Sequence, residues 1–236
     1  MVAPRNASTV VLLRPDDSGS FEILLTRRPE GMRFLGGFYV FPGGTVHRND
    51  YAPKTLERCR ALTPADARKI LRSQHEPDEA IGHWVAVVRE LFEEVGILLC
   101  TTDTGNELDL TDDLAARRIE QKRQAIVKKE LPFGAFLESE NLFCDLARVI
   151  YFDHWVTPEI YSMRFDTRFY VAALPAHQVP LERSDEVTHS VWLKPDDALA
   201  RMNRRDFPIL PPTTTVLNNL ARLASWERLR AEFKLP

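Results

Sequence analysis

Cysteine is scarce: Cys59, Cys100 and Cys144 are the only three in 236 residues, and no two stand in a CxxC spacing. Neither a disulfide framework nor a Cys-based zinc site is expected, and a reducing compartment is. Long apolar runs are missing too. Nothing approaches the roughly 20 residues that a membrane-crossing helix needs, so no membrane partner is expected. Charge of one sign is also lacking. Lys and Arg number 31 against 34 Asp and Glu, a formal net charge of −3. That balance gives no basic excess for nucleic acid or an anionic surface. His47, His83, His154 and His189 show no metal-ligand spacing such as HxxxH and read as structural. The opening MVAPRNASTVVLLRPDD turns polar at once, unlike a signal peptide, and the final Lys-Leu-Pro is not a Ser-Lys-Leu address, so a cytoplasmic location is expected.

What remains is an ordinary globular balance, 44% apolar and 28% charged, with no repeat, low-complexity tract or linker. It reads as one domain over residues 1–236. STVVLLRP (8–15) and FEILLTRR (21–28) read as paired strands across the DDSGS turn, and FYVF (38–41) as a third running into Pro42-Gly43-Gly44. Thr63 caps a helix over 63–73, with Pro64 at its first position. The strongest helix covers 81–99 and stops near Gly96; HEPDE (75–79) before it reads as a connector. A charged amphipathic helix over 109–131 reads as a solvated element packed on the domain. Strands follow at 146–158, 164–175 and 186–195, then a helix at 196–202 and a closing helix over 213–233 capped by Thr213. The order predicts a mixed sheet flanked by helices.

On the strongest helix, Glu90, Glu93 and Glu94 share an arc of roughly 100°, opposite an apolar face of Trp84, Val85, Val88, Leu91, Phe92 and Val95. Three carboxylates that close repel one another. Either the face is solvated, or a divalent cation sits among the oxygens.

Strand, Gly-Gly, then Arg89-Glu90-Leu91-x-Glu93-Glu94-x-Gly96-Ile97 resembles the box of the Nudix hydrolases. The second half of the box matches at every fixed position. The first half departs: five residues beyond Gly44 stands Asp50 rather than Glu, and 39 positions separate it from Arg89 where the family has 8. About 31 residues are therefore inserted, a helical insertion over roughly 51–81. Upstream, LLTRRPEGMRFLGGFYVFPGG (24–44) is similar to a pattern of Nudix enzymes that cleave coenzyme A. Thr26, Arg28, Arg33, Gly37 and Phe41 are in place, and Pro29 stands where Ser or Ala is usual. WVTPE (155–159), RFDTRFYVA (164–172) and LPPTTTVLNNL (210–220) resemble the insertion-bearing CoA and acyl-CoA diphosphatase branch.

The resemblance implies an α/β (α+β) fold, a Nudix-type α/β/α sandwich with a mixed sheet. It implies metal-dependent cleavage of a diphosphate, giving 3′,5′-ADP and (acyl-)phosphopantetheine from CoA or acyl-CoA. ADP-ribose, NADH or a dinucleoside polyphosphate is the alternative substrate, and a non-catalytic binding module the third reading. Mg²⁺ (or Mn²⁺) would be held by Glu90, Glu93, Glu94 and the Gly44 carbonyl, with Arg89 fixing a carboxylate. The base varies within the family, and Glu186 and Glu182 are candidates alongside the box carboxylates. Gly43 and Gly44 would line the substrate. Arg28 and Arg33 could grip phosphates or be solvated loop residues; Arg168 could contact substrate or only pair with Asp166. Trp155, Phe165 and Phe169 read as core or interface. A homodimer is a possibility that nothing in the sequence locates.

Overall fold

The computed structural model describes residues 2–32 and 35–235. β1 (Arg5–Pro15) and β2 (Phe21–Arg27) form the expected antiparallel pair, followed by β3 (Tyr39–Val40) and β4 (Gly43–Thr45). The insertion carries α1 (Pro53–Leu56), β5 (Cys59–Arg60) and α2 (Pro64–Leu71), and leads into α3 (Pro77–Val95). Next come β6 (Cys100–Thr102), α4 (Asp113–Val127), α5 (Phe133–Ser139) and β7 (Leu142–Asp145). The chain closes with β8 (Ile150–Val156), β9 (Phe165–Ala173), β10 (His189–Leu193), α6 (Pro195–Asn203), α7 (Pro211–Ala221) and α8 (Trp226–Phe233).

The main sheet runs β10-β2-β1-β9-β8, with β3 on β2 and β4 on β1. β1 and β9 are parallel and the other pairs antiparallel, so the sheet is mixed as expected. The continuous apolar run of β1 follows from burial on both faces. Val10 and Leu12 point into a core shared with α2, α3 and α5, whereas Val11 and Leu13 point into a second core with α6, α7 and α8. The result is the α/β/α sandwich. A second sheet, β5-β7-β6, lies beside the first core.

Several boundaries differ from expectation. α3 starts four residues earlier than Ile81, because Pro77 serves as its first residue and Asp78 and Glu79 fill its first turn. It ends at Gly96, which takes a left-handed φ of 74°. The helix at α2 begins as read, with the Asp66 N–H donating to Thr63 Oγ1 at 3.2 Å. The closing helix starts on Pro211 rather than at a Thr213 cap, and breaks into α7 and α8 at Arg222–Ser225, where Ala224 has a φ of 60°. β8 begins only at Ile150, since Leu146–Arg148 form a 3₁₀ turn. Among the described residues no helix is long and apolar enough to cross a membrane.

One buried group on α3 sets a pH response. His83 lies against β1, with its Nδ1 2.9 Å from Ser8 Oγ. Burial, with Arg168 nearby, pushes its pKa down to about 3. The unfolded chain takes up this proton near pH 6.5 and the folded chain does not. Stability is therefore full above pH 6.5 and falls below it, at about 1.4 kcal/mol per pH unit at most. The raised carboxyls of α3 act in the opposite sense over this range, so the His83 contribution is read as the difference between wild type and His83→Gln in denaturant titrations. That difference should shift by about 2 kcal/mol between pH 7 and pH 5. A difference that does not change with pH would remove His83 as a cause.

Candidate active site

α3 is apolar on the side that was expected to be: Trp84, Val85, Val88, Leu91, Phe92 and Val95 are all buried. The opposite side is not a solvated face. Glu90 and Glu94 are 9% and 5% exposed, because β4 is laid across them. Only Glu93 of the three is partly open.

The covering depends on two glycines. A Cβ on Gly43 would stand 2.4 Å from the Ser8 carbonyl oxygen, and one on Gly44 would stand 2.3 Å from Glu90 Oε1. With no side chains there, the backbone can lie directly on the carboxylates. The Gly43 N–H donates to Glu94 Oε2 at 3.3 Å.

Arg89 ties the two halves of the box together. Its Nε and Nη2 donate to Asp50 Oδ1 and Oδ2 at 2.7 and 3.0 Å. Nη2 also reaches the Thr45 carbonyl at 2.9 Å, and Nη1 reaches Glu90 at 2.8 Å and Glu93 at 3.1 Å. Asp50, whose side chain is wholly buried, also accepts the His47 N–H at 2.7 Å. The inserted residues loop out between Asp50 and α3, and the shorter Asp takes the place opposite the arginine fork.

The carboxylates are electrostatically loaded. Burial pushes Glu90 up to about 7, against the pull of Arg89. Glu94 is raised well above the carboxylate range by burial, then by Glu90 and Glu186. With Glu93 they line a cleft closed by Arg123, Gln124 and Val127 of α4 and by Ser184, Asp185 and Glu186. Among the described residues, no three His, Cys, Asp or Glu side chains are placed to hold a cation together: Glu90 is turned to Arg89 and Glu94 to Gly43. The donor chemistry still fits a hard cation, since the cleft offers carboxylate oxygens whose ionised forms burial disfavours.

Of the other expected residues, Glu186 is at the cleft, exposed on its rim. Glu182 is exposed and does not line it. Arg28 is half-buried, lies near enough to lower the Glu94 pKa, and has an Nε without a hydrogen-bond partner among the described residues. Arg33 lies outside the described residues. Arg168 is not at the cleft. It sits on β9 in register with Ser8 and His154, buried, and is paired with Asp166. Trp155 and Phe169 pack in the second core, as read.

Arg123 was missed. α4 is not merely a solvated helix: Ile119, Arg123 and Ile126 form its buried stripe. An arginine on the apolar stripe of an amphipathic helix was the available signal. Arg123 donates to the Glu93 carbonyl at the end of α3, and holds Glu120 through Nε at 2.7 Å and Nη2 at 2.8 Å. Asp185 and Ser184 carried no sequence signal.

The family model described as NUDT19 Nudix domain matches residues 4–223. The chain is similar to the acyl-coenzyme A diphosphatase NUDT19 of Xenopus laevis, 24% identical over 89% of this chain and 62% of that protein. It is also similar to the Homo sapiens protein of that name, 25% identical over 90% and 64%. The chain thus spans less than two thirds of the length of these relatives. Among solved structures it resembles a Nudix hydrolase from Alicyclobacillus acidocaldarius, with 27% identity and a TM-score of 0.79, covering 96% of this chain and 95% of that one. The chain belongs to the Nudix hydrolase family, in the branch defined by the NUDT19 Nudix domain.

Proposed function

We propose that this chain hydrolyses the diphosphate bond of CoA or an acyl-CoA, releasing 3′,5′-ADP and phosphopantetheine or its acyl form, with Mg²⁺ (or Mn²⁺). The observation that carries the hydrolytic part is the pair of buried carboxylates, Glu90 and Glu94, roofed by bare backbone at Gly43 and Gly44 beside an acidic cleft. The substrate class rests on the Thr26-to-Gly44 pattern and on the acyl-CoA diphosphatase relatives.

Glu90, Glu93, Glu94 and the Gly44 carbonyl would hold the cation, which when bound lowers the pKa of water and screens phosphate charge. Arg89 fixes the carboxylates of the box. Glu186, on the open rim of the cleft and near enough to act on Glu94, is our candidate for taking a proton from the attacking water. Arg28 presents a guanidinium edge to phosphate oxygens, and Arg33, four residues beyond Pro29, is its partner in this role on sequence alone.

The test is a mass-spectrometric competition, run once with Mg²⁺ and once with Mn²⁺, on an equimolar mixture of CoA, acetyl-CoA, a long-chain acyl-CoA, ADP-ribose, NADH and a dinucleoside polyphosphate. 3′,5′-ADP and phosphopantetheine species should appear first. AMP appearing first from ADP-ribose or NADH would overturn the substrate, and no turnover with either metal would overturn the reaction.

Gly44→Ala should keep the fold and lose activity. The three heavy atoms nearest the added Cβ all belong to the Glu90 carboxyl end, so the side chain that must move is a proposed ligand. A fall in kcat of about tenfold or more is expected, by analogy with the cost of disturbing a metal's surroundings, with a nearly unchanged melting temperature. Full activity would show that Glu90 has room to give.

A further inference from the structure

The three cysteines, distant in the chain, are neighbours in the fold. β7 is the middle strand of the small sheet, and Cys144 on it has Cys59 beside it on β5 and Cys100 beside it on β6. The Sγ atoms of Cys100 and Cys144 are 3.9 Å apart, and Cys59 is in register with Cys144 on the other side.

The two pairings differ in kind. The Asp145 N–H donates to the Leu99 carbonyl at 3.2 Å, so Leu99 and Asp145 are a hydrogen-bonded pair of the antiparallel ladder. Alternation makes Cys100 and Cys144 the adjacent non-hydrogen-bonded pair, with Cα atoms about 4.5 Å apart and side chains at their closest. That separation falls within the roughly 4.4–6.8 Å that a disulfide spans. The Cys59–Cys144 pair is parallel, without this close approach, and the Cys59 thiol is also given to the Thr55 carbonyl at 3.4 Å. Cys100 and Cys144 are fully buried, whereas Cys59 is partly open to solvent.

We propose that this cluster is a site of two-electron oxidation by a peroxide, entered at Cys59 and ending in a Cys100–Cys144 disulfide. The Cys59 sulfur attacks the peroxide O–O bond, becoming a sulfenic acid as one water leaves. The Cys144 sulfur then displaces the hydroxyl as a second water, forming a Cys59–Cys144 bond. Cys100 attacks the Cys144 sulfur, and Cys59 leaves as a thiol carrying the proton that Cys100 gives up. The sum is two thiols and one peroxide to one disulfide and two waters. The neighbouring Cys144 thiol and burial push the Cys59 thiol up, so proximity, and not a ready thiolate, drives the sequence and makes it slow. The loop that the bond closes contains α4, and with it Arg123 and Gln124 of the acidic cleft.

The test treats the reduced full chain with hydrogen peroxide, alkylates it, and reads intact mass and a non-reducing peptide map. The expected result is a Cys100–Cys144 cross-link, a single alkyl label at Cys59 and, once that label is subtracted, a loss of about 2 Da. Cys59→Ser should give the same bond about fivefold more slowly, and Cys100→Ser should stop at Cys59–Cys144. Oxygen addition at Cys59 of about 16, 32 or 48 Da without any loss of 2 Da, or a dimer linked through Cys59, would overturn the proposal.

Discussion

Glu94→Gln should abolish turnover and raise the melting temperature of the metal-free protein. Glu94 is buried, and its ionised form is opposed by burial and by two neighbouring carboxylates, Glu90 and Glu186. Gln keeps the shape and can still accept the Gly43 N–H. It removes the charge that a cation would need. Forfeiting about 4 kcal/mol of metal-derived stabilisation lowers the rate about a thousandfold. The stability change has the opposite sign. A carboxyl whose folded pKa is raised costs nothing below its unfolded pKa near 4.5, and costs progressively more as pH rises toward the folded value. The excess of the variant's melting temperature in EDTA should therefore grow from pH 5 to pH 8. Adding Mg²⁺ should reverse the order, since only the wild-type protein gains from tight binding. Turnover within tenfold of wild type would remove Glu94 from the machinery.

Arg89→Ala should be the most damaging single change to the fold. The guanidinium is 6% exposed and serves Asp50, Glu90, Glu93 and the Thr45 carbonyl. Its loss leaves three carboxylates, two of them buried, without their cation. Breaking a buried pair from one side costs about 3–5 kcal/mol, a large share of the roughly 5–15 kcal/mol that holds a domain. Arg89→Lys should recover only part of this, because one ammonium cannot serve both Asp50 oxygens in fork geometry. Denaturant midpoints of the soluble fractions would measure it, with Asp50→Asn expected between wild type and Arg89→Ala. A loss below about 1 kcal/mol for Arg89→Ala would mean that the clamp is not structural.

What the sequence revealed was what short-range chemistry decides. β1 and β2 declare themselves by apolar runs on either side of a turn, and Thr63 with Pro64 by a cap and a first-position proline. The box was visible as spacing, yet its closure was not. Asp50 and Arg89 are brought together by a chain reversal through α1, β5 and α2, and no local pattern encodes that meeting. Strands of two to four residues, such as β5, β6 and β7, are too short for alternation to show. Arg123 escaped because a helix rich in charge reads as solvated until the position of each charge on the wheel is asked. Arg168 stood between substrate contact and a pairing with Asp166 in the sequence, and it is the position of β9 in the sheet that buries it against Asp166.

The arginine fork that joins Asp50 to α3 also has a meaning for chain length. Because the box is closed by a bidentate contact and not by contiguous chain, the number of residues between its halves is free to change. Segments of different length can be accommodated there without rebuilding the carboxylate-bearing helix, provided each leaves an acid within reach of Arg89. The intervening stretch is thus the place where length can vary while the meeting of the two halves is kept.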